Sequence, residues 1–292
     1  MNISDKVKEL IKSLPVKEER SLFIKNGHDG GVFRSPQKGS AIEFLQHREY
    51  SFGDDFRQLD WKLYGKKEKF YIRERERESK INVYFLFDLS SSMGFNYQSE
   101  TDKLSFSLII GFTILYYFLN KNLKIGLIFV KDGKIDFHYP ISTKGSFFKY
   151  LQMAETLKSS GGDNLNKMNI TELSTLNAPG FIFVFSDFFE ENIEKFVKNI
   201  SYLREKQLFP SFFQILDPME RNLKMKEPVH LFSMETREEM EIQPFLLKKE
   251  YNKIVKEYNF KLKKILNKYN AGIKFLTTDM DLRNIVLDIL RD

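Results

Sequence analysis

The chain has 292 residues, 42% of them apolar, with a net charge of +6 and a pI near 9.1, enough to bury one large core or one core plus a modest extra domain. It has no cysteine, which excludes disulfides, thiolate zinc sites, iron–sulfur clusters and cysteine nucleophiles and fits a reducing compartment. Its basic residues are mostly lysines spread among Phe, Ile and Asn, so the charge reads as a solvated surface and no nucleic-acid partner is expected.

The first twenty residues, MNISDKVKELIKSLPVKEER, set Val7, Leu10, Ile11 and Leu14 among charges. This is helical amphipathy without the continuous apolar run of a signal peptide, and it predicts a cytoplasmic chain. Up to about residue 80 the sequence is rich in glycine, charge and turn signals. KNGHDGGVFRSPQKGS (25–40) and YSFGDD (50–55) read as loops between short strands. GDDFRQLDW (53–61) reads as a structural network in which Asp54, Asp55 and Asp60 pair with Arg48 and Arg57 and Trp61 anchors the segment by burial. In YIRERERES, strand alternation puts Arg73, Arg75 and Arg77 on one face and Glu74, Glu76 and Glu78 on the other, a charged edge protected from aggregation.

After residue 80, strands and helices alternate. INVYFLFD (81–88) reads as a buried strand and residues 103–119 as a helix. The uncharged run 104–119 is shorter than the roughly 20 residues a membrane span needs, so it reads as a core helix and no span is expected. KIGLIFV (124–130) and KIDFHYP (134–140) form an antiparallel pair through the KDGK turn. Helices over 146–158 and 164–176, a strand at GFIFVFSD (180–187), the helix ENIEKFVKNISYLREK and a strand at FPSFFQIL (209–216) follow. A hairpin spans 229–242. A long helix comes next, with Leu247, Tyr251, Ile254, Tyr258, Leu262, Ile265 and Tyr269 at spacings of three and four, and GIKFLTT and DLRNIVLDIL close as strand and helix.

Continuous Val, Ile and Phe strands alternating with helices predict an α/β fold: a doubly wound, mostly parallel sheet over 81–292, with a small β-rich extension over 1–80. In such sheets ligands bind outside the carboxyl ends of the strands. Asp88 stands at that end of the first buried strand, with Ser90 and Ser92 at alternate positions after it, and Asp187 takes the matching place on a second strand. SSGGDNL (159–165) supplies a glycine loop carrying Asp163. Taken alone, D-x-S-x-S is equally an N-cap or Asx turn. Hydroxyls and carboxylates without nitrogen or sulfur suit Mg2+ or Mn2+.

The D-x-S-x-S of Asp88, Ser90 and Ser92, with the later loop and Asp187, resembles the metal-ion-dependent adhesion site of von Willebrand factor A domains. KGSAIEFLQHREYSFGDDFRQLDW (38–61), with YIRERERE and ILDPME (215–220), resembles the signature of bacterial domain-of-unknown-function family 58 through Gly39, Glu43, Phe44, Arg48, Tyr50, Gly53, Asp54, Asp55, Arg57, Asp60 and Trp61. The resemblance implies a non-enzymatic protein-interaction module. In it Asp88, Ser90, Ser92, Asp187 and Asp163 hold Mg2+ (or Mn2+), whose open position takes a partner's Glu or Asp. Members of that family are commonly encoded beside MoxR-type AAA+ ATPases, which implies an adaptor partnered with such an ATPase or with other von Willebrand A proteins. The adhesion-site pattern has a threonine after the glycines where this chain has Asp163, leaving Asp163, Asn164 or a water for that position. Two other readings stay open: a Mg2+- or Mn2+-dependent phosphoesterase or nuclease, and a basic nucleic-acid binder. The four histidines, His28, His47, His138 and His230, show no ligand spacing.

Overall fold

The computed structural model describes residues 2–14, 43–50, 59–67, 69–76, 81–97, 99–121, 123–162, 164–189, 199, 201–223, 228–232 and 239–291. The chain divides into two compact units, one of Met1–Phe33 with Ile81–Asp292 and the other of Arg34–Lys80. Helix α1 (Ile3–Ser13) is capped by the Asn2 side chain, which accepts from Ser4 N at 2.9 Å. Its Ile3, Val7 and Leu10, with Leu14 beyond, are buried in the same apolar cluster as the main sheet. Helix α1 thus packs with the α/β unit. A helix this short is marginal alone, and α1 gains its stability by burying its apolar stripe in the α/β unit.

In the unit of residues 34–80, β1 (Glu43–Glu49) pairs antiparallel with β2 (Tyr71–Glu76), with a register shift between Phe44 and Gln46. Between them lies α2 (Trp61–Lys67). Asp60 is buried, and its Oδ1 accepts from Lys62 N at 3.0 Å and Leu63 N at 3.1 Å, an N-cap that satisfies two first-turn donors. Trp61 does not anchor by burial: it is 64% exposed. The cap turns Asp60 inward, and the next position starts the helix on another face. Asp54, Asp55 and Arg57 lie outside the described residues, as do the loop at 25–40, most of that at 50–55, and the side chains of Arg48 and of the Arg–Glu alternation over 73–78.

The α/β unit is built on a six-stranded sheet. Its strands are β3 (Asn82–Asp88), β4 (Lys124–Lys131), β5 (Lys134–Ile141), β6 (Gly180–Ser186), β7 (Leu208–Leu216) and β10 (Gly272–Thr277), in the order β10-β7-β6-β3-β4-β5. All neighbours are parallel except the β4–β5 hairpin. The chain leaves β3 outward through β4 and β5, then returns to β6 on the other side of β3. The order therefore reverses between β3 and β6, where an α/β sheet opens a crevice at its carboxyl edge.

Every residue of β3 and β6 is buried, as sheet strands covered on both faces require. On one face Phe129, Phe87, Phe185 and Phe213 form a row of stacked rings across four strands, with centroids 5.8, 5.1 and 4.9 Å apart. In β3 and β6 this row lies one residue below the strand ends. Helices α1, α3 (Lys103–Asn120), α4 (Lys144–Ala154) and α8 (Leu282–Arg291) contribute to that face. A Cβ at Gly111 of α3 would run into the Phe87 ring, so the glycine admits the aromatic row. The two fully buried hydroxyls of α3 return to its own backbone: Ser107 Oγ donates to Lys103 O, and Thr113 Oγ1 to Ile109 O, each at 2.7 Å.

The other face is covered by α5 (Asn164–Lys167), a 3-10 turn (Ile170–Thr175) and α7 (Pro244–Lys268), which follows the short α6 (Pro218–Arg221) and the hairpin of β8 (Val229–Phe232) and β9 (Glu239–Ile242). The single helix expected over 164–176 is broken because Asn169 Oδ1 accepts from Thr171 N and Thr171 Oγ1, starting a new turn. Along α7 the inward stripe is Val255, Leu262 and Leu266, with Tyr251 and Tyr258 half-buried, while Leu247 and Ile254 are exposed. The two tyrosines set this rotation, their hydroxyls donating to Glu220 O and Phe188 O.

Candidate functional site

Asp88 ends β3 beside Ser186 of β6, and both are buried. Its Oδ2 accepts from Ser186 Oγ at 2.7 Å, and its Oδ1 from Ser90 N at 2.9 Å. The second bond tightens the loop so that Ser90 Oγ and Ser92 Oγ stand 3.1 Å apart. That is a hydrogen-bond distance and also close to the edge, about 3.0 Å, of an octahedron with metal–oxygen bonds of about 2.1 Å. The sequence-predicted trio Asp88, Ser90 and Ser92 is thus gathered in one turn. The serines begin a 3-10 turn (Ser91–Gly94) whose Met93 is fully buried, which pins the loop from below.

The glycine loop lies against this turn. Ser160 N donates to Leu89 O at 2.8 Å and Ser91 N to Gly161 O at 3.0 Å. Gly161 has φ +84°, and a Cβ there would collide with the Asp132 carboxylate, so this position needs glycine. Ser160 Oγ is buried with no hydrogen-bond partner. Asp163 and the side chain of Asn164 lie outside the described residues.

Asp187, buried at the end of β6, is committed to a residue absent from the sequence reading. Lys103, fully buried at the start of α3, donates to Asp187 Oδ2 at 2.9 Å and to Glu220 Oε1 at 2.7 Å. Burial alone would lower the Lys103 ammonium, but the carboxylates of Asp187 and Glu220 outweigh it and raise its pKa. Burial pushes Glu220 up, Lys103 and the Asp217 N–H pull it back, and the neighbouring Asp187 charge adds to the rise. One ammonium between two carboxylates leaves a buried negative excess. Tyr251 is pushed up to about 12 by burial and by the Glu220 charge, against the opposing pull of Lys103.

Glu220 is held in place by a capping box. Asp217 Oδ1 accepts from Met219 N at 2.8 Å, while Asp217 N donates to Glu220 Oε2 at 2.8 Å. Asp217 Oδ2 also takes Tyr97 N and Ser99 Oγ, each at 3.0 Å. Gln214 Nε2 donates to Asp187 O at 2.9 Å, and its Oε1 is buried without a partner. Two signals pointed to these residues. D-P-M-E at 217–220 has the capping-box spacing, and Lys103 is the lone charge at the head of a long uncharged helix.

Among the described residues no group of three or more His, Cys, Asp or Glu forms a metal cluster. The donor set at Asp88 is one carboxylate and two hydroxyls, with the orphaned Ser160 Oγ on the adjoining loop. These are hard oxygens of the kind Mg2+ and Mn2+ accept while keeping several waters, and in that chemical sense the residues fit such an ion.

The family described as "Protein of unknown function DUF58" matches residues 46–259. The chain belongs to the DUF58 family. No curated protein sequence matches this DUF58 chain. Among solved structures it is similar to the conserved hypothetical protein BatB from Bacteroides thetaiotaomicron, with 14% identity over 72% of this chain and 97% of that one and a TM-score of 0.42. It is similar to the SpRpn10 VWA domain, with 10% identity over 73% and 97% and a TM-score of 0.42. The manganese-loaded TRAP protein of Plasmodium vivax matches with 13% identity over 46% and 56% and a TM-score of 0.31.

Proposed function

We propose that this DUF58 protein is a metal-dependent protein-interaction module. Asp88, Ser90 and Ser92 hold a divalent cation, Mg2+ or Mn2+, with Asp187 and Asp163 in its acidic surround. When bound, the cation supplies an open coordination position for a Glu or Asp of a partner protein. The observation that carries this reading is the turn after β3, where a buried carboxylate and two hydroxyls 3.1 Å apart meet at the point where the strand order reverses. Lys103 sharpens the role of Asp187: the carboxylate is held rigidly and its charge is offset, so it shapes the field around the ion more than it grips it.

The partner assigned to the open position is a MoxR-type AAA+ ATPase in the cytoplasm, with the family resemblance as its support. Titration calorimetry with Mg2+ and Mn2+ tests the ion: Asp88→Asn and Ser90→Ala should abolish binding, and Asp163→Thr should weaken it. Affinity co-purification tests the partner, using wild type, Asp88→Ala and EDTA-treated protein. Equal retention of a partner in all three sinks the metal-gated reading.

A further inference from the structure

The basic residues are spread along the chain, but one element carries a large net excess of them. Helix α7 carries eight lysines and two glutamates, an excess of six that equals the net charge of the entire chain. Its inner stripe is fixed against the sheet by Val255, Leu262 and Leu266 and by the Tyr251 and Tyr258 hydroxyls, so its outer face is fixed as well. Phe245, Leu246, Lys249, Lys253, Lys256, Phe260, Lys263 and Lys264 fall within about 100° of arc on the side turned away from that stripe. All eight are exposed, and the apolar three strongly so: Phe245 78%, Leu246 68% and Phe260 71%. No carboxylate lies within this arc. Glu250 and Glu257 border it, and Glu257 stands 3.8 Å from Lys253.

Exposing large apolar side chains to water is unfavourable, and covering them lowers the free energy. A protein groove covering them would have to be acidic throughout, since five lysines are interleaved with them. A bilayer carrying anionic headgroups meets both needs at once, accepting Phe and Leu at the acyl boundary and lysines among the phosphates. We propose that the outer face of α7 docks peripherally on an anionic lipid surface, with Phe245, Leu246 and Phe260 inserted and Lys249, Lys253, Lys256, Lys263 and Lys264 on the headgroups. The site lies on a different element from the Asp88 turn and does not depend on the metal reading.

Vesicle flotation with the full chain tests this, using phosphatidylcholine alone and phosphatidylcholine with phosphatidylglycerol, at low and high salt. Binding is expected only to the anionic vesicles. It should fall about fivefold for each of Lys249→Gln, Lys256→Gln and Lys263→Gln, and about a hundredfold or more for Phe245→Ser with Phe260→Ser. High salt should weaken the wild type more than the lysine variants. All these positions are exposed, so thermal unfolding should not change. Three results overturn the proposal. One is equal binding to neutral vesicles or none to either kind. Another is vesicle binding unchanged in both variant sets while the lysine variants lose affinity for a single-stranded oligonucleotide. The third is self-association through Phe245 and Phe260 that leaves no vesicle-bound fraction.

Discussion

Helices α3 and α7 are the two longest described, and they treat charge in opposite ways. Fourteen of the 18 residues of α3 are buried, and its only charge, Lys103, is sealed between two carboxylates. Four of the 25 residues of α7 are buried, and all ten of its charges are exposed. A charge inside a helix that is apolar all round must be paired, so Lys103 ties three elements together: α3, the end of β6 and α6. A charge on an outer face is free to serve a partner. Burial turns one lysine into a structural keystone and exposure leaves eight as a surface property.

Several measurements would break or sharpen this contrast. The largest effect is expected at Lys103, where Lys103→Met leaves Asp187 and Glu220 uncompensated. Urea unfolding should show a loss of about 3–5 kcal/mol, and adding Glu220→Gln should recover part of it. Next comes Gly111→Ala, which overpacks α3 against Phe87 and should cost about 1–3 kcal/mol, relieved by Phe87→Leu.

A smaller effect depends on pH. Because folding raises the pKa of Glu220, the native state holds more protons than the unfolded chain between the unfolded value of 4.5 and the higher folded one. Across that window Glu220 contributes stability that falls as pH rises. Wild type should therefore gain stability relative to Glu220→Gln as the pH is lowered from neutrality toward 5, and a parallel pair of stability curves would remove Glu220 from the account. The smallest effect is at Ile254, where Ile254→Ser should change stability by no more than about 0.5 kcal/mol. Val255→Ser, one position along and buried, should be clearly worse. A reversal would restore the Leu247–Ile254 stripe as the inner face of α7.

Much of this was legible in the chain. Runs such as VYFLFD and FIFVFS have apolar residues on both alternate sets, which suits only a strand covered on both faces, and KDGK forces a hairpin. The strand-end position of Asp88, Ser90 and Ser92 follows from the same pattern, because the first polar residues after a buried strand emerge at its carboxyl edge. Less was legible where two faces compete. The period of α7 admits more than one apolar stripe, and the tyrosine hydroxyls chose among them. Trp61 looked like an anchor by size, but the cap at Asp60 decided which of the two neighbours turned inward.

The sequence by itself therefore determined the alternation of strands and helices, the absence of thiol chemistry and the oxygen donors at the first strand end, since each depends on periodicity or inventory along the chain. Only the tertiary structure decided that Asp187 answers to Lys103, that D-P-M-E supplies the second carboxylate, and that the aromatic row lies beneath Asp88. The two Lys103 contacts join residues 84 and 117 positions apart, and which distant side chains share a buried space is a property of sheet order and helix rotation that no local pattern encodes.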